Sequence, residues 1–353
     1  MVCPRTRSWA RPLFFRAGSL LALVLAAGTI AAETSGSQSM PERRLDGFNV
    51  IATQADPFGS PAADLALAQA KRLGASAVAV IPFFWQPGPA SPDLVRGADM
   101  SDDALRAAIR QAHALGLAVV VKPHVWVPQS WAGAVAMTSE ADWQQWFARY
   151  QREIVRIAQI AEAEKAEALA IGTELAQTSR HPQWNDIIVK VRAAFSGRLL
   201  YVAHNLDEAE TVPFWDRLDA IGVSLYPPLG GDTDGDYRRT AMRTIADRLD
   251  MLSLIDHKPV VVAEIGLRSA AGATAKPWES AEERTAAADP QLQADVLTDW
   301  LSTLNRPTVE GVLIWRWFTD PNAGGLSDTD FTVQGKPAEQ VLQCAWTRSC
   351  SRG

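Results

Sequence analysis

Two glutamates stand at the ends of apolar runs in this sequence. In Ala168–Leu175, A-L-A-I-G-T-E-L, four apolar residues lead through Gly-Thr to Glu174. In Pro259–Ser269, P-V-V-V-A-E-I-G-L-R-S, the run ends in Glu264. A carboxylate is costly to bury unless it is paired or in use. Hydrolysis of a glycosidic bond uses two of them: one carboxylic acid protonates the leaving oxygen, and one carboxylate attacks or activates water. The plainer alternative is a structural ion pair with Arg268 or Arg316.

Such a pair needs a frame that sets both groups across one cleft. From Leu45 onwards, short runs of Val, Ile, Leu and Ala alternate with longer helical patterns. Eight runs read as strands: Gly47–Ile51, Ser76–Trp85, Leu117–Val127, the run ending at Glu174, Leu199–Asn205, Ala220–Leu229, the run holding Glu264, and Val309–Phe318. They are continuously apolar, as parallel strands buried on both faces are. Helical patterns follow at Pro61–Leu73, Asp102–Leu115, Ser139–Ala166, Pro182–Phe195, Tyr237–Ile255, Pro290–Leu304 and about Lys336–Trp346. Ser101 is placed to cap one of them and Gly116 to stop it. The pattern predicts an α/β fold, a single-domain (β/α)8 TIM barrel over 45–346. Glu174 and Glu264 then end the fourth and seventh strands, which lie nearly opposite in an eight-strand ring.

In such barrels the reacting groups come from the C-terminal strand ends. Collected there are Asn49, Trp85-Gln86, Lys122-Pro123-His124-Val125-Trp126, Glu174, His204-Asn205, Tyr226, Glu264 with Arg268, and Trp315-Arg316-Trp317. One polar or aromatic residue at a rim means little, but a ring of them reads as a ligand site. Each also has a bland reading: Trp315 as core, Tyr226 as the anchor of the Pro227-Pro228 turn, His124 and His204 as satisfied structural residues. His124, His204, Glu174 and Glu264 could surround a zinc ion, yet no H-x-H or H-E-x-x-H spacing appears, so no metal is expected. No G-x-S-x-G elbow appears either.

The 353 residues are 47% apolar with a net charge of −6, and no basic block points to nucleic acid. Residues 1–32 differ from the rest. Arg5, Arg7, Arg11 and Arg16 precede the apolar stretch Ala17–Ala32, with small residues at its end, in the layout of a secretory signal peptide. Residues 33–44 read as a flexible lead-in and 347–353 as a tail. Export, to periplasm or exterior, is therefore expected, with no stable membrane association after cleavage; an uncleaved anchor is the alternative. An oxidising compartment would let Cys344 and Cys350 pair and staple the tail. Two free thiols are the alternative.

Five strings in order, K-P-H-V-W-V at Lys122–Val127, I-G-T-E-L at Ile171–Leu175, F-W-D at Phe214–Asp216, A-E-I-G-L-R-S at Ala263–Ser269 and G-K-P-A-E at Gly335–Glu339, resemble glycoside hydrolase family 113. The likeness spans about Leu45–Trp346. It implies a retaining β-1,4-mannanase-like enzyme without cofactor, expected to be a monomer, with a polysaccharide as partner. Glu174 would be the acid/base and Glu264 the nucleophile. Tyr226 would hydrogen-bond that nucleophile, and Trp315 would lie under the sugar whose bond breaks. His124, His204 and Asn205 would contact sugar hydroxyls; Trp85, Trp126 and Arg268 are counted with them as substrate-binding candidates. For the two roles to differ, the surroundings of Glu174 should raise its pKa while donors such as Arg268 keep Glu264 charged. The chain departs from the wider clan at Thr173, where Asn usually contacts the 2-hydroxyl; Asn205 is a candidate to supply that contact. It departs from the family at His204-Asn205, where members tend to have Asn-Trp, and near Leu267, where they tend to have Tyr. Alternatives are a same-family glycosidase on an exopolysaccharide or cell-envelope glycan, and a non-catalytic carbohydrate-binding barrel.

Overall fold

Strands that are apolar on every residue have no face to give to water, so they must be covered on both sides. The computed structural model describes residues 44–97 and 100–349. In chain order its strands are β1 (Gly47–Ile51), β2 (Ala77–Val80), β3 (Phe83–Trp85), β4 (Val95–Arg96), β5 (Ala118–Val121), β6 (His124–Trp126), β7 (Ala168–Thr173), β8 (Arg198–His204), β9 (Ala220–Leu225), β10 (Val260–Ile265) and β11 (Val309–Phe318). Eight of these close a parallel barrel in the order β1-β11-β10-β9-β8-β7-β5-β2. The expected (β/α)8 fold is the one observed. Residues 1–43 lie outside the described residues, and so do the signal segment and almost all of the lead-in. Cys350 lies outside them too, and with it the expected disulfide.

The helices are α1 (Pro61–Arg72), α2 (Asp102–Ala114), α3 (Glu140–Ala163), α4 (Trp184–Ala194), α5 (Asn205–Ala209), α6 (Gly235–Asp256), α7 (Pro290–Thr303) and α8 (Ala338–Thr347). Their starts follow from capping. Ser60, Ser101, Ser139 and Asp289 each accept a backbone N–H of the first turn, satisfying a donor that has no partner within the helix. Gly116, expected as the stop of α2, has φ +66°. The buried stripe of α3 runs Trp146, Phe147, Tyr150, Ile154, Ile157, Ala158 and Ala161, the three-and-four spacing of one helix face. No helix among the described residues is long and apolar enough to cross a membrane.

The second and third runs do not continue as single strands. Each stops at a proline, which cannot donate to the ladder. Past Pro82 and Pro123 the chain resumes as β3 and β6, which pair with each other, and β3 also pairs with β4, in a separate three-stranded sheet at the barrel's C-terminal end. Trp85 and Trp126 are register partners in that small sheet. The short helix α5 was also not expected from the sequence.

Close approach between β1 and β2 depends on one glycine. A Cβ at Gly47 would fall 1.7 Å from the carbonyl oxygen of Ala77. Gly47→Ala is therefore expected to cost about 1–3 kcal/mol through forced backbone displacement, read as a lower urea midpoint. An unchanged midpoint would contradict the β1–β2 register.

Candidate active site

Both glutamates sit where the barrel ladder loses its regular register. The β7–β8 pairing shifts between Ala170 and Thr173, and the β9–β10 pairing shifts between Val262 and Glu264. Irregularities of this kind re-aim side chains. Glu174 follows immediately with φ +55°, an uncommon conformation for a residue other than glycine, while its N–H donates to Val202 O at 2.7 Å. The strand end is also held from behind. Tyr150 OH donates to Ile171 O at 2.8 Å, and Tyr201 OH accepts the N–H of Leu175 at 3.1 Å.

Glu264 is buried and has both carboxyl oxygens occupied by donors. Lys122 Nζ donates to Oε2, and Tyr226 OH donates to Oε1 at 2.8 Å. Burial, together with the charges of Glu264 and Glu174, pushes the Tyr226 phenol far above its ordinary range, so it stays a donor. Trp315 is half-buried beside this cluster, its ring centroid 5.5 Å from Lys122 Nζ.

Glu174 has a different set of partners. His204 Nδ1 lies 3.1 Å from Oε1, and His124 Nε2 lies 3.5 Å from Oε2. Burial pushes its carboxyl up, but hydrogen bonds and charge from His124 and His204 outweigh that and hold it below the usual carboxylate range. This corrects the expectation that its surroundings raise it, and the cause is the two imidazoles. Burial likewise pulls the His204 imidazole down, and Glu174 beside it brings it above its ordinary value.

Several expected partners are placed differently. Arg268 does not reach Glu264. The strand ends at Ile265, the chain turns, and the buried guanidinium donates to the carbonyls of Thr329, Ser280 and Arg284. It ties the loop after β10 to the loop after β11. Asn205, the candidate for the 2-hydroxyl contact, is tied back into the site: its Oδ1 accepts from Tyr226 N and its Nδ2 meets His204 Nε2, both at 3.0 Å. Thr173 Oγ1 is buried with no hydrogen-bond partner among the described residues. Trp85 and Trp126 are exposed, with ring centroids 5.9 Å apart. A pocket of about 270 Å³ lies beside them, lined by Trp85, Gln86, Pro87, Asp93, Val95 and Pro128.

Three site neighbours carry roles that sequence reasoning missed. Lys122 is fully buried, and a lysine within an apolar strand run was the available signal, because Lys is almost never fully buried unpaired. Glu208 on α5 accepts from Tyr201 OH and from His204 N, both at 2.6 Å. Burial raises its carboxyl above the usual range. Trp131, exposed in the loop after β6, lays its ring 4.5 Å from that of His204.

Two carboxyl groups with such unlike partners, in one ring of strand ends, can divide an acid role from an acceptor role. The family model described as Glycoside Hydrolase Family 113 matches residues 48–336. Among solved structures, the GH113 beta-mannanase AaManA from Alicyclobacillus acidocaldarius, in complex with ManMIm, superposes with a TM-score of 0.78 at 24% identity, covering 87% of this chain and 98% of that one. A GH113 beta-1,4-mannanase in a complex gives 0.77 at 26% identity, covering 87% and 100%. A further GH113 beta-1,4-mannanase structure gives 0.76 at 26% identity with the same coverage. No curated protein matches the chain.

Proposed function

We propose, on the premise that this chain belongs to glycoside hydrolase family 113 and is therefore a glycosidase, that it cleaves a β-1,4-linked polysaccharide, β-mannan, with retention of configuration. The mannanase structures it resembles support the choice of polymer. The observation that carries the mechanism is the contrast between the carboxyl groups. Glu264 accepts from an ammonium and a phenol, so it is set up as the attacking carboxylate. Glu174 lies between the rings of His124 and His204 and, among the described residues, against no ammonium or guanidinium, so it is set up as the acid/base.

In the first step Glu264 attacks the anomeric carbon, the glycosidic C–O bond breaks, and Glu174 gives its proton to the leaving oxygen. In the second, Glu174 takes a proton from water, the water oxygen attacks the anomeric carbon, and the Glu264 ester bond breaks. Trp315 lies under the reacting sugar. Trp85 and Trp126 offer stacking faces further along the polymer. The same reading has the enzyme exported, on the strength of the basic start and apolar stretch within residues 1–32.

The test is an assay of the purified protein on β-mannan, glucomannan and a panel of β-glucans, beside Glu174→Gln. Reducing ends are expected from mannan or glucomannan, with the β-anomer formed first by proton NMR. Glu174→Gln is expected to lose about 10²–10⁴-fold in kcat/KM on polymer, and far less on aryl glycosides whose leaving group needs no proton. Release from β-glucan alone would overturn the mannan assignment. An α-anomer formed first would overturn retention. Equal losses on polymer and aryl glycoside would overturn the role of Glu174.

A further inference from the structure

The hydrogen-bond chain beside Glu174 begins at a group that cannot be reversed. The backbone N–H of Tyr226 only donates, so the atom of Asn205 that meets it at 3.0 Å is Oδ1, and Nδ2 is the atom turned to His204. An amide nitrogen also only donates. The nitrogen it meets, Nε2 of His204, is therefore the bare one, and Nδ1 carries the hydrogen that points at Glu174 Oε1. On the other side, His124 Nδ1 faces the carbonyl oxygen of Val125 at 3.1 Å, which only accepts, so that nitrogen carries a hydrogen and Nε2 faces Glu174 Oε2. Oε1 is thus always an acceptor, and the proton of the acid belongs to Oε2, on the line to His124 Nε2.

We propose that Asn205 is a positioning residue that holds His204 neutral, as its Nδ1–H tautomer, and so leaves Glu174 able to carry its proton on Oε2. The proposal rests on the acid/base role of Glu174 given above. A charged His204 would set an N–H against the N–H₂ of Asn205. Turning the amide over to relieve that would take the acceptor from Tyr226 N. The neighbouring charges press the other way. Glu174 faces His204 from the end of β7, and Glu208 on α5 lies behind it, accepting its backbone N–H. Glu264 adds its charge from β10, itself joined to Lys122 and Tyr226. Two imidazolium ions around Glu174 would hold it as a carboxylate, useless as an acid, and Asn205 prevents one of them. Asn also suits the backbone here, because position 205 has φ +54°, which Asn and Asp enter more readily than other side chains with a Cβ.

Asn205→Asp tests this with little change of shape. One carboxylate oxygen still accepts from Tyr226 N, and the other now accepts from Nε2, so His204 takes a second proton beside Glu174. The alkaline limb of the kcat/KM profile on an aryl mannoside with a poor leaving group is expected to move to lower pH by about one unit or more. A limb that stays in place while the rate falls would mean that Asn205 only holds the backbone, and would overturn the proposal. If the variant does not fold, nitrogen NMR of the wild-type protein decides, with the His204 signals assigned from Nε2–H and Nδ1–H couplings and from their loss in His204→Gln. A bare Nε2 across the active pH range is expected, and a protonated Nε2 there would overturn the proposal. That spectrum needs no substrate, so its failure is distinct from a failure of the polymer assay.

Discussion

Glu264→Gln is expected to lower kcat on the polysaccharide by about 10⁴-fold or more, the scale of losing a nucleophile from a site that otherwise stays assembled. The side chain keeps its shape, and its amide oxygen still meets Lys122, while its nitrogen donates to Tyr226 OH in place of accepting from it. Because buried Lys122 loses its counter-charge, the melting midpoint is expected to fall as well, and a wild-type circular dichroism spectrum at the assay temperature separates lost chemistry from lost fold. Two further measurements make the case specific. A 2-fluoro mannosyl inhibitor with a good leaving group should label the wild-type peptide that contains Glu264, because the ester it forms is hydrolysed slowly. With Glu264→Ala, added azide should attack from the vacated side and give the glycosyl azide of inverted configuration. A β-anomeric product from Glu264→Gln at near wild-type rate, or a label on another residue, would refute the nucleophile assignment.

The second large effect is expected at Lys122. Its ammonium is fully buried and bonds Glu264. Removing one member of a buried ion pair leaves the other charge without compensation, at a cost of about 3–5 kcal/mol. Lys122→Met keeps most of the volume, so the loss is electrostatic, and it should appear both in the unfolding midpoint and in the rate. With the ammonium gone, Glu264 keeps Tyr226 OH as a donor and loses the bond to Oε2, so kcat/KM on the polysaccharide should fall along with the stability. Combining Lys122→Met with Glu264→Gln should recover most of the lost stability, because the uncompensated charge is removed as well. If Lys122→Met melts like the wild type with its kcat/KM unchanged, the lysine is a bystander.

The barrel was legible in the sequence because doubly buried strands have no alternation to confuse and each ends in a polar residue. Glu174, Glu264, Tyr226 and Trp315 were legible for the same reason: each is placed by a strand end. What lay beyond strand ends was not. Arg268 stands four residues after Glu264, and proximity in the chain suggested a partnership, but the turn after Ile265 carries it to three carbonyls of other loops. The contact of His204 with Glu174 depends on the β7–β8 register and on a positive φ at Glu174, and neither is written in residue type. Lys122 was visible as an odd residue in an apolar run, yet its partner comes from a strand on the other side of the ring. The stops at Pro82 and Pro123 were hidden by the apolar residues that continue past them.

Those two prolines also divide the molecule into parts of different interchangeability. Strands β2 and β5 belong to the ring, while β3, β4 and β6 form a sheet of their own outside it. Changes in that lip away from His124, which meets Glu174 from the start of β6, and changes in the barrel should therefore combine nearly independently, as perturbations without shared partners do. The aromatic pair Trp85 and Trp126 rides on the detachable part, whereas Glu174 and Glu264 ride on the ring. A lineage, or an engineer, can exchange the lip to suit a new polymer and, so long as His124 is kept, leave the reacting pair as it was.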